Sequence, residues 1–122
     1  MKIQAKKISV TLLLILLSGC VTSPNNMYYW GDYERLIHNM YINPGSVDPQ
    51  SQITKLETIL QGSLESGLQV PPGIFAHLGM LYAMQGDVEA ATVALEQEKR
   101  HYPESSTLIN GMLSRALKEV KE

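Results

Sequence analysis

The sequence predicts an all-α protein built from short helical hairpins, on the strength of three observations. Apolar residues recur three or four positions apart over most of the chain after residue 28, as they do on one face of an α-helix. No segment shows convincing alternation of apolar and polar residues, the pattern of a half-buried strand. Glycines and prolines divide the chain at intervals typical of helices joined by short antiparallel connections.

Two helices are predicted in the first half. The first has Asp32 as its N-cap and stops at Pro44-Gly45. The second follows the loop PGSVDP, takes Ser51 as its cap and ends at Gly67. The apolar series leading into and along the first helix comprises Tyr29, Trp30, Tyr33, Leu36, Ile37, Met40 and Tyr41.

Three more helices are predicted in the second half. The third covers residues 74–84, after the break Pro71-Pro72-Gly73. Gly86-Asp87 turns the chain tightly into a fourth helix, which ends before Pro103. A fifth begins near Ser105 and carries an apolar stripe towards the C terminus.

The third and fourth helices resemble a tetratricopeptide repeat. If the resemblance holds, Gly79 and Ala91 let the two helices approach closely. Glu98 departs from the pattern, which has a small alanine there, and this puts close packing of the last helix in doubt. A generic helical hairpin with the same spacing is the alternative. The matching positions are Phe75, Leu78, Gly79, Tyr82, Gly86, Ala91, Leu95 and Pro103.

Two other parts of the chain resemble the same repeat more weakly. Residues 31–34, GDYE, repeat the pattern of residues 86–89, GDVE. The first two helices are therefore expected to form a degenerate repeat, and the fifth resembles the helix that closes such arrays.

The N terminus predicts export and lipidation. Three lysines precede an apolar run of about ten residues, which is too short to span a bilayer and is typical of a signal peptide. The run ends in Leu17-Ser18-Gly19-Cys20, which resembles the lipobox of bacterial lipoproteins. That resemblance implies cleavage after residue 19 and acylation of Cys20. Residues 20–28 are expected to form the lipidated terminus and tether, and residues 29–122 the domain.

Composition limits the partners of the mature chain. Cleavage removes three of the ten Lys and Arg residues and none of the twelve Asp and Glu residues. The resulting acidic balance argues against nucleic acid or anionic lipid as a charge-driven partner. The protein is expected to reach the membrane through its lipid anchor. In the bacterial lipoproteins that the lipobox resembles, an aspartate directly after the cysteine favours retention in the inner membrane. Val21 stands at that position here, so the resemblance implies the outer membrane, with the domain facing the periplasm.

The opening of the domain, YYWGDYE, resembles that of a family of small, uncharacterised bacterial lipoproteins. The match rests on Tyr29, Trp30, Gly31, Tyr33 and Glu34. Members tend to be encoded beside lipoproteins similar to the curli secretion channel, which implies a role in an envelope assembly.

No catalytic or metal site is predicted. The three histidines fall on different helices, and no phosphate-binding loop or nucleophile elbow is present. Asp32 and Glu34 are expected to serve a helix start, and the cluster Glu96, Glu98, Lys99 and Arg100 a solvated helix face. We expect no enzyme activity, no cofactor and no small-molecule substrate.

A protein-binding groove is a more specific hypothesis than a catalytic site. In tetratricopeptide arrays the first helix of each repeat lines a concave groove, so the resemblance implies that the third helix lines one here with small residues and adaptable methionines. The alternative is that the second helix of the repeat or the closing helix covers the same face as core. Tyr28, Tyr29 and Trp30 carry the same ambiguity between interface and core. The groove residues are Gly73, Ala76, Met80, Ala83 and Met84.

These expectations combine into an interaction scaffold in an outer-membrane or periplasmic assembly, accessory to a channel of lipoproteins similar to the curli secretion channel. The alternative is a regulator that docks on a periplasmic cell-wall enzyme.

Overall fold

The described part of the chain is all-α, as predicted. A computed structural model of the protein describes residues 26–119. Over that range no strand forms, and an isolated β-bridge joins Tyr28 to Gln69. The predicted signal peptide, residues 1–19, and the predicted lipidation site Cys20 lie outside the described residues. The helices are α1 (Tyr33–Ile42), α2 (Pro49–Ser66), α3 (Ile74–Met84), α4 (Val88–His101) and α5 (Ser106–Glu119), with a 3-10 turn over Pro103–Ser105.

The cap of α2 differs from the prediction. Asp48, not Ser51, is the N-cap, because its carboxylate accepts the Ser51 backbone N–H at 3.0 Å. Pro49 then occupies the first helical position, where its fixed φ suits the helix and no N–H is needed. Gly67 ends α2 with a φ of 67°, the left-handed conformation that glycine adopts without strain.

The helices α3 and α4 form a close antiparallel hairpin. Gly86 and Asp87 make the turn, and the Asp87 carboxylate caps α4 by accepting a backbone N–H. A Cβ atom on Gly79 would lie 2.6 Å from Cγ of Leu95 and 3.2 Å from the carbonyl oxygen of Ala91. The prediction that Gly79 stands where two helices approach is therefore confirmed.

One hydrophobic core joins the first four helices. Its buried side chains come from both halves of the chain, so neither half has a core of its own. The helix α5 packs against α4 and buries Ile109 and Ala116. The core cluster consists of Leu36, Ile53, Leu56, Ile59, Ile74, Leu78, Leu81 and Ala94.

The antiparallel helices give the domain two ends. Tyr82 donates its hydroxyl to Glu57 at 3.1 Å, and Gln85 bonds Gln50 at 3.3 Å, which fixes α2 and α3 in opposite directions. We name the end that holds residues 26–32, 67–73 and 101–105 the bridge end. The end that holds the connections 43–48 and 85–87 is the turn end.

A short N-terminal segment is bonded to the bridge end. The Tyr29 N–H donates to the Gln69 carbonyl at 3.0 Å, and the Gln69 N–H donates to the Met27 carbonyl at 3.1 Å. The Tyr29 ring occupies the space that a side chain on Gly62 would need, because a Cβ there would lie 2.3 Å from the ring. Met27 and Tyr28, which were predicted to lie in the tether, are thus bonded to the folded body.

Candidate functional site

An open apolar cleft of about 420 Å³ lies between α1 and α3, with one residue of α5 at its edge. The lining runs over residues 33–41 of α1, about 12 Å of helix, and over residues 76–80 of α3, about 6 Å. Its lining combines aromatic, aliphatic and methionine side chains with one histidine. The lining residues are Tyr33, Ile37, Met40, Tyr41, Ala76, His77, Met80 and Met112.

One wall of the cleft is a second apolar face of α1. Tyr33, Ile37 and Tyr41 are four residues apart and share this face. Leu36, on the adjacent face, is buried in the core. The apolar series of α1 suggested a single core-facing stripe, but the stripe is wide enough to serve the core and the cleft together. That width is the signal from which the cleft could have been found.

The other wall contains part of the predicted groove. Ala76 and Met80 line the cleft, and Met80 keeps 40 % of its surface exposed. Met84 is 67 % exposed and lies beyond the cleft lining, as does the half-buried Ala83. No other helix covers Met80 or Met84 as core. Of the two alternatives, an open face and a buried core face, these methionines lie on an open face.

His77 lies in the cleft wall with no hydrogen-bond partner among the described residues. Its side chain is 7 % exposed, and neither ring nitrogen is bonded. Burial lowers the pKa of His77 below its usual value, which favours the neutral imidazole. The Tyr33 ring stands edge-on to it at 6.0 Å. The cleft wall therefore contains a neutral imidazole, and the phenols of Tyr33 and Tyr41 are the other polar side chains of the lining.

Glu98 corrects a sequence prediction. It was assigned to a solvated helix face, but only 3 % of it is exposed. Its carboxylate accepts the N–H of Gly73 at 2.8 Å and the N–H of Ala76 at 3.3 Å, at the start of α3. The side chain thus satisfies donors that a helix start leaves free, where Gly73 offers no side-chain cap. This contact joins residues far apart in sequence, so local spacing does not reveal it.

The aromatic residues of the opening motif separate into two groups. Tyr29 packs against the core, which is the core alternative for that residue. Tyr28, Trp30 and Tyr33 form a row with ring centroids 6.1 and 6.2 Å apart, and Trp30 stacks on Tyr33 beside the cleft. Tyr28 also lies 6.5 Å from the ring of Tyr102.

The carboxylate of Glu98 influences two of these phenols. Burial, followed by the charge of Glu98, raises the pKa of Tyr33. Burial, followed by the neighbouring Tyr28 and Glu98, raises the pKa of Tyr102 to about 12. Both phenols therefore stay protonated, and the Tyr102 hydroxyl donates to the Val70 carbonyl. These residues hold the bridge end together.

The part of the chain that the structure describes contains no cluster of three or more residues able to hold a metal ion. Among residues 26–119 no helix has the length and apolar character needed to cross a bilayer.

In the comparisons with curated proteins and with solved structures, none matches the chain. The family model described as "Domain of unknown function (DUF4810)" matches residues 27–112. The match begins at the segment bonded to the bridge end, covers α1 to α4 and reaches Met112 at the edge of the cleft. Because it spans well over half of the 122 residues, the chain belongs to the DUF4810 family.

Proposed function

We propose that this protein is a lipid-anchored interaction scaffold of the outer membrane, facing the periplasm, whose cleft between α1 and α3 receives a partner protein. It acts by binding and has no catalytic role. Cys20 is the point of lipidation, and the lipobox that precedes it supports this assignment.

The observation that carries the proposal is the exposed apolar cleft. A small domain rarely leaves large apolar side chains uncovered in one concave surface unless something binds there. Methionines at Met40, Met80 and Met112 suit a partner of irregular shape, since their side chains adapt at little cost. The length of the cleft fits about two turns of an amphipathic helix.

The resemblance of α3 and α4 to a tetratricopeptide repeat supports the same function. The close approach at Gly79 and the turn at Gly86 are features that such a repeat needs. The proposed degenerate repeat in the first half is less regular, because Asp32 pairs with Arg35 whereas Asp87 caps its helix with its side chain. In this interpretation the cleft corresponds to the groove of a repeat array, and Ala76 and Met80 are its contact residues.

The partner that we favour is a channel-like lipoprotein of the kind found beside related genes. A regulator of a periplasmic cell-wall enzyme would use the same cleft and is the alternative. The two differ in the identity of the protein bound, so the experiment must identify what touches the cleft.

A photo-reactive phenylalanine analogue placed at Tyr41, an exposed cleft residue, tests the proposal in intact cells. The matched control position is Val93 on α4, which is exposed but outside this cleft. We expect a strong cross-link from position 41, identified by mass spectrometry as the channel lipoprotein, and loss of that cross-link when Met80 becomes glutamate. A cell-wall enzyme in the cross-link would favour the alternative. Equal cross-linking from both positions would contradict a cleft-specific role.

A further inference from the structure

A second apolar surface lies at the bridge end, outside the cleft. Its exposed side chains are Met27, Trp30 and Leu64, which are 61 %, 41 % and 77 % exposed. Tyr28 connects them, because its ring lies 6.1 Å from Trp30 and its backbone pairs with Gln69, which lines the same hollow as Leu64. We name the surface formed by Met27, Trp30 and Leu64 the bridge face.

We propose that the bridge face lies against the lipid surface to which Cys20 is anchored. The proposal rests on the lipidation of Cys20 that belongs to the proposed function. It adds an orientation: the bridge end touches the bilayer and the turn end points away from it.

The length of chain between the anchor and the domain supports this orientation. Six residues separate Cys20 from Met27, and the seven Cα–Cα steps between them span at most about 25 Å when fully extended. The segment that leads to Cys20 joins the domain at the bridge end, so this end is held within that distance of the anchor. The helices that run between the two ends are ten to eighteen residues long, which places the turn end about 15–27 Å farther along them. The bridge end is therefore the end nearest to the anchor.

The chemistry of the bridge face suits the boundary between lipid and water. Tryptophan and tyrosine are enriched at that depth, where a ring meets apolar groups and its polar atom meets water. Exposed Arg100 and His101 at the end of α4 are accompanied by the exposed acids Glu65 and Glu104. The face thus has no strong positive charge, and its contact with lipid is apolar and aromatic. The absence of strong positive charge on this face agrees with the excess of acidic over basic residues in the mature chain.

The orientation has a consequence for the cleft. The helices α1 and α3 run from the bridge end towards the turn end, so the cleft between them runs away from the membrane plane. A partner then reaches the cleft from the side, and its binding segment stands along the membrane normal.

Trp30 is the chain's single tryptophan, so its fluorescence tests the proposal directly. The mature lipoprotein is reconstituted into vesicles of phosphatidylethanolamine and phosphatidylglycerol, with or without phosphatidylcholine brominated on its acyl chains. We expect the brominated lipid to quench most of the Trp30 emission. The double variant Trp30→Phe, Tyr41→Trp is the matched control, and its tryptophan, on the other side of the domain from the bridge face, is expected to stay unquenched.

Flotation of the vesicles separates the two proposals. If the wild type fails to float, or floats no better than Cys20→Ala, the anchor is wrong and the orientation falls with it. If the wild type floats but Trp30 is not quenched, the anchor stands and the orientation is overturned. Equal quenching of Trp30 and of the control tryptophan would also overturn it. If Trp30 is not quenched in the wild type, and if Trp30→Ala abolishes the cross-link from position 41, the bridge face binds the protein partner and not the lipid.

Discussion

The two halves of the domain are held together by different means. In the second half, α3 and α4 pack through Gly79 and a tight turn, contacts between residues close in sequence. In the first half, Gly62 of α2 contacts the ring of Tyr29, which belongs to the N-terminal segment and not to a neighbouring helix of a hairpin. The comparison teaches that one glycine contact closes a local hairpin, whereas the other fastens a distant segment.

The second half has a further long-range contact through Glu98. This residue lies on α4, and its carboxylate bonds the start of α3 next to the loop that holds the N-terminal segment. A change at Glu98 should therefore loosen the start of α3, whereas changes at the two glycines should act on one helix packing contact each.

The largest effect is expected for Glu98→Ala. It installs the residue that a tetratricopeptide repeat has at this position, but it leaves the Gly73 and Ala76 N–H groups without their acceptor. Unsatisfied buried donors cost about 1–3 kcal/mol each, so the free energy of unfolding should fall by about 2–4 kcal/mol. Urea denaturation followed by circular dichroism measures it. Glu98→Gln, which keeps one acceptor oxygen, should lose less. If Glu98→Ala has the same free energy of unfolding as the wild type, the repeat pattern and not the carboxylate sets stability here.

Next in size is Gly79→Leu. Its side chain would collide with Leu95 and with the backbone of Ala91, and overpacking typically costs about 1–3 kcal/mol. Thermal melting should show a fall of several degrees. Gly111→Ala on α5 is the control, because a Cβ there would meet only the end of the Arg115 side chain at 4.0 Å and a helical alanine gains about 0.5–1 kcal/mol over glycine. If both variants melt at the wild-type temperature, the hairpin is looser than described.

A double-mutant cycle sharpens the comparison for the first half. Gly62→Ala should be neutral or unfavourable in the wild type, because the new Cβ displaces the Tyr29 ring. In the Tyr29→Ala background the same change should stabilise by about 0.5–1 kcal/mol, the ordinary helical gain. The coupling free energy from four denaturation curves is expected to be about 1 kcal/mol. Additive effects would show that the Tyr29 ring does not rest on Gly62.

The smallest effect concerns His77 and appears only in acid. Burial lowers its pKa in the folded state, so below the usual value of about 6.5 the unfolded state binds a proton first and stability falls as pH falls. Between pH 6.5 and 5.5 the loss should be about 1 kcal/mol or less. His77→Met should remove this slope, whereas His38→Gln, at an exposed position on α1, should keep it. An identical slope in His77→Met would place the acid sensitivity elsewhere.

Sequence alone predicted what depends on neighbouring residues. The bounds of α3, the end of α2 at Gly67, the turn at Gly86 and the close approach at Gly79 all follow from local spacing. The cap of α2 was misassigned by three residues, because Asp48 and Ser51 are both good caps and only the backbone decides between them.

The rest depends on contacts between distant parts of the chain. Glu98 resembles an exposed helix residue until the start of α3 is placed beside it. The cleft was predicted from α3 alone, and half of its lining comes from α1, whose orientation is fixed by the long-range core. Trp30 and Tyr29 are adjacent in sequence, yet one faces outwards and the other inwards.

The bond between the N-terminal segment and the bridge end also sets an order of events during biogenesis. Tyr28 and Tyr29 leave the ribosome first, but Gln69 and Tyr102, which they contact, follow much later. Until then the segment has no partner and cannot fold. If the chain is exported and lipidated as proposed, we expect Cys20 to lie on unfolded chain while the processing enzymes act. The domain would then draw close to the membrane only after α4 has been translocated.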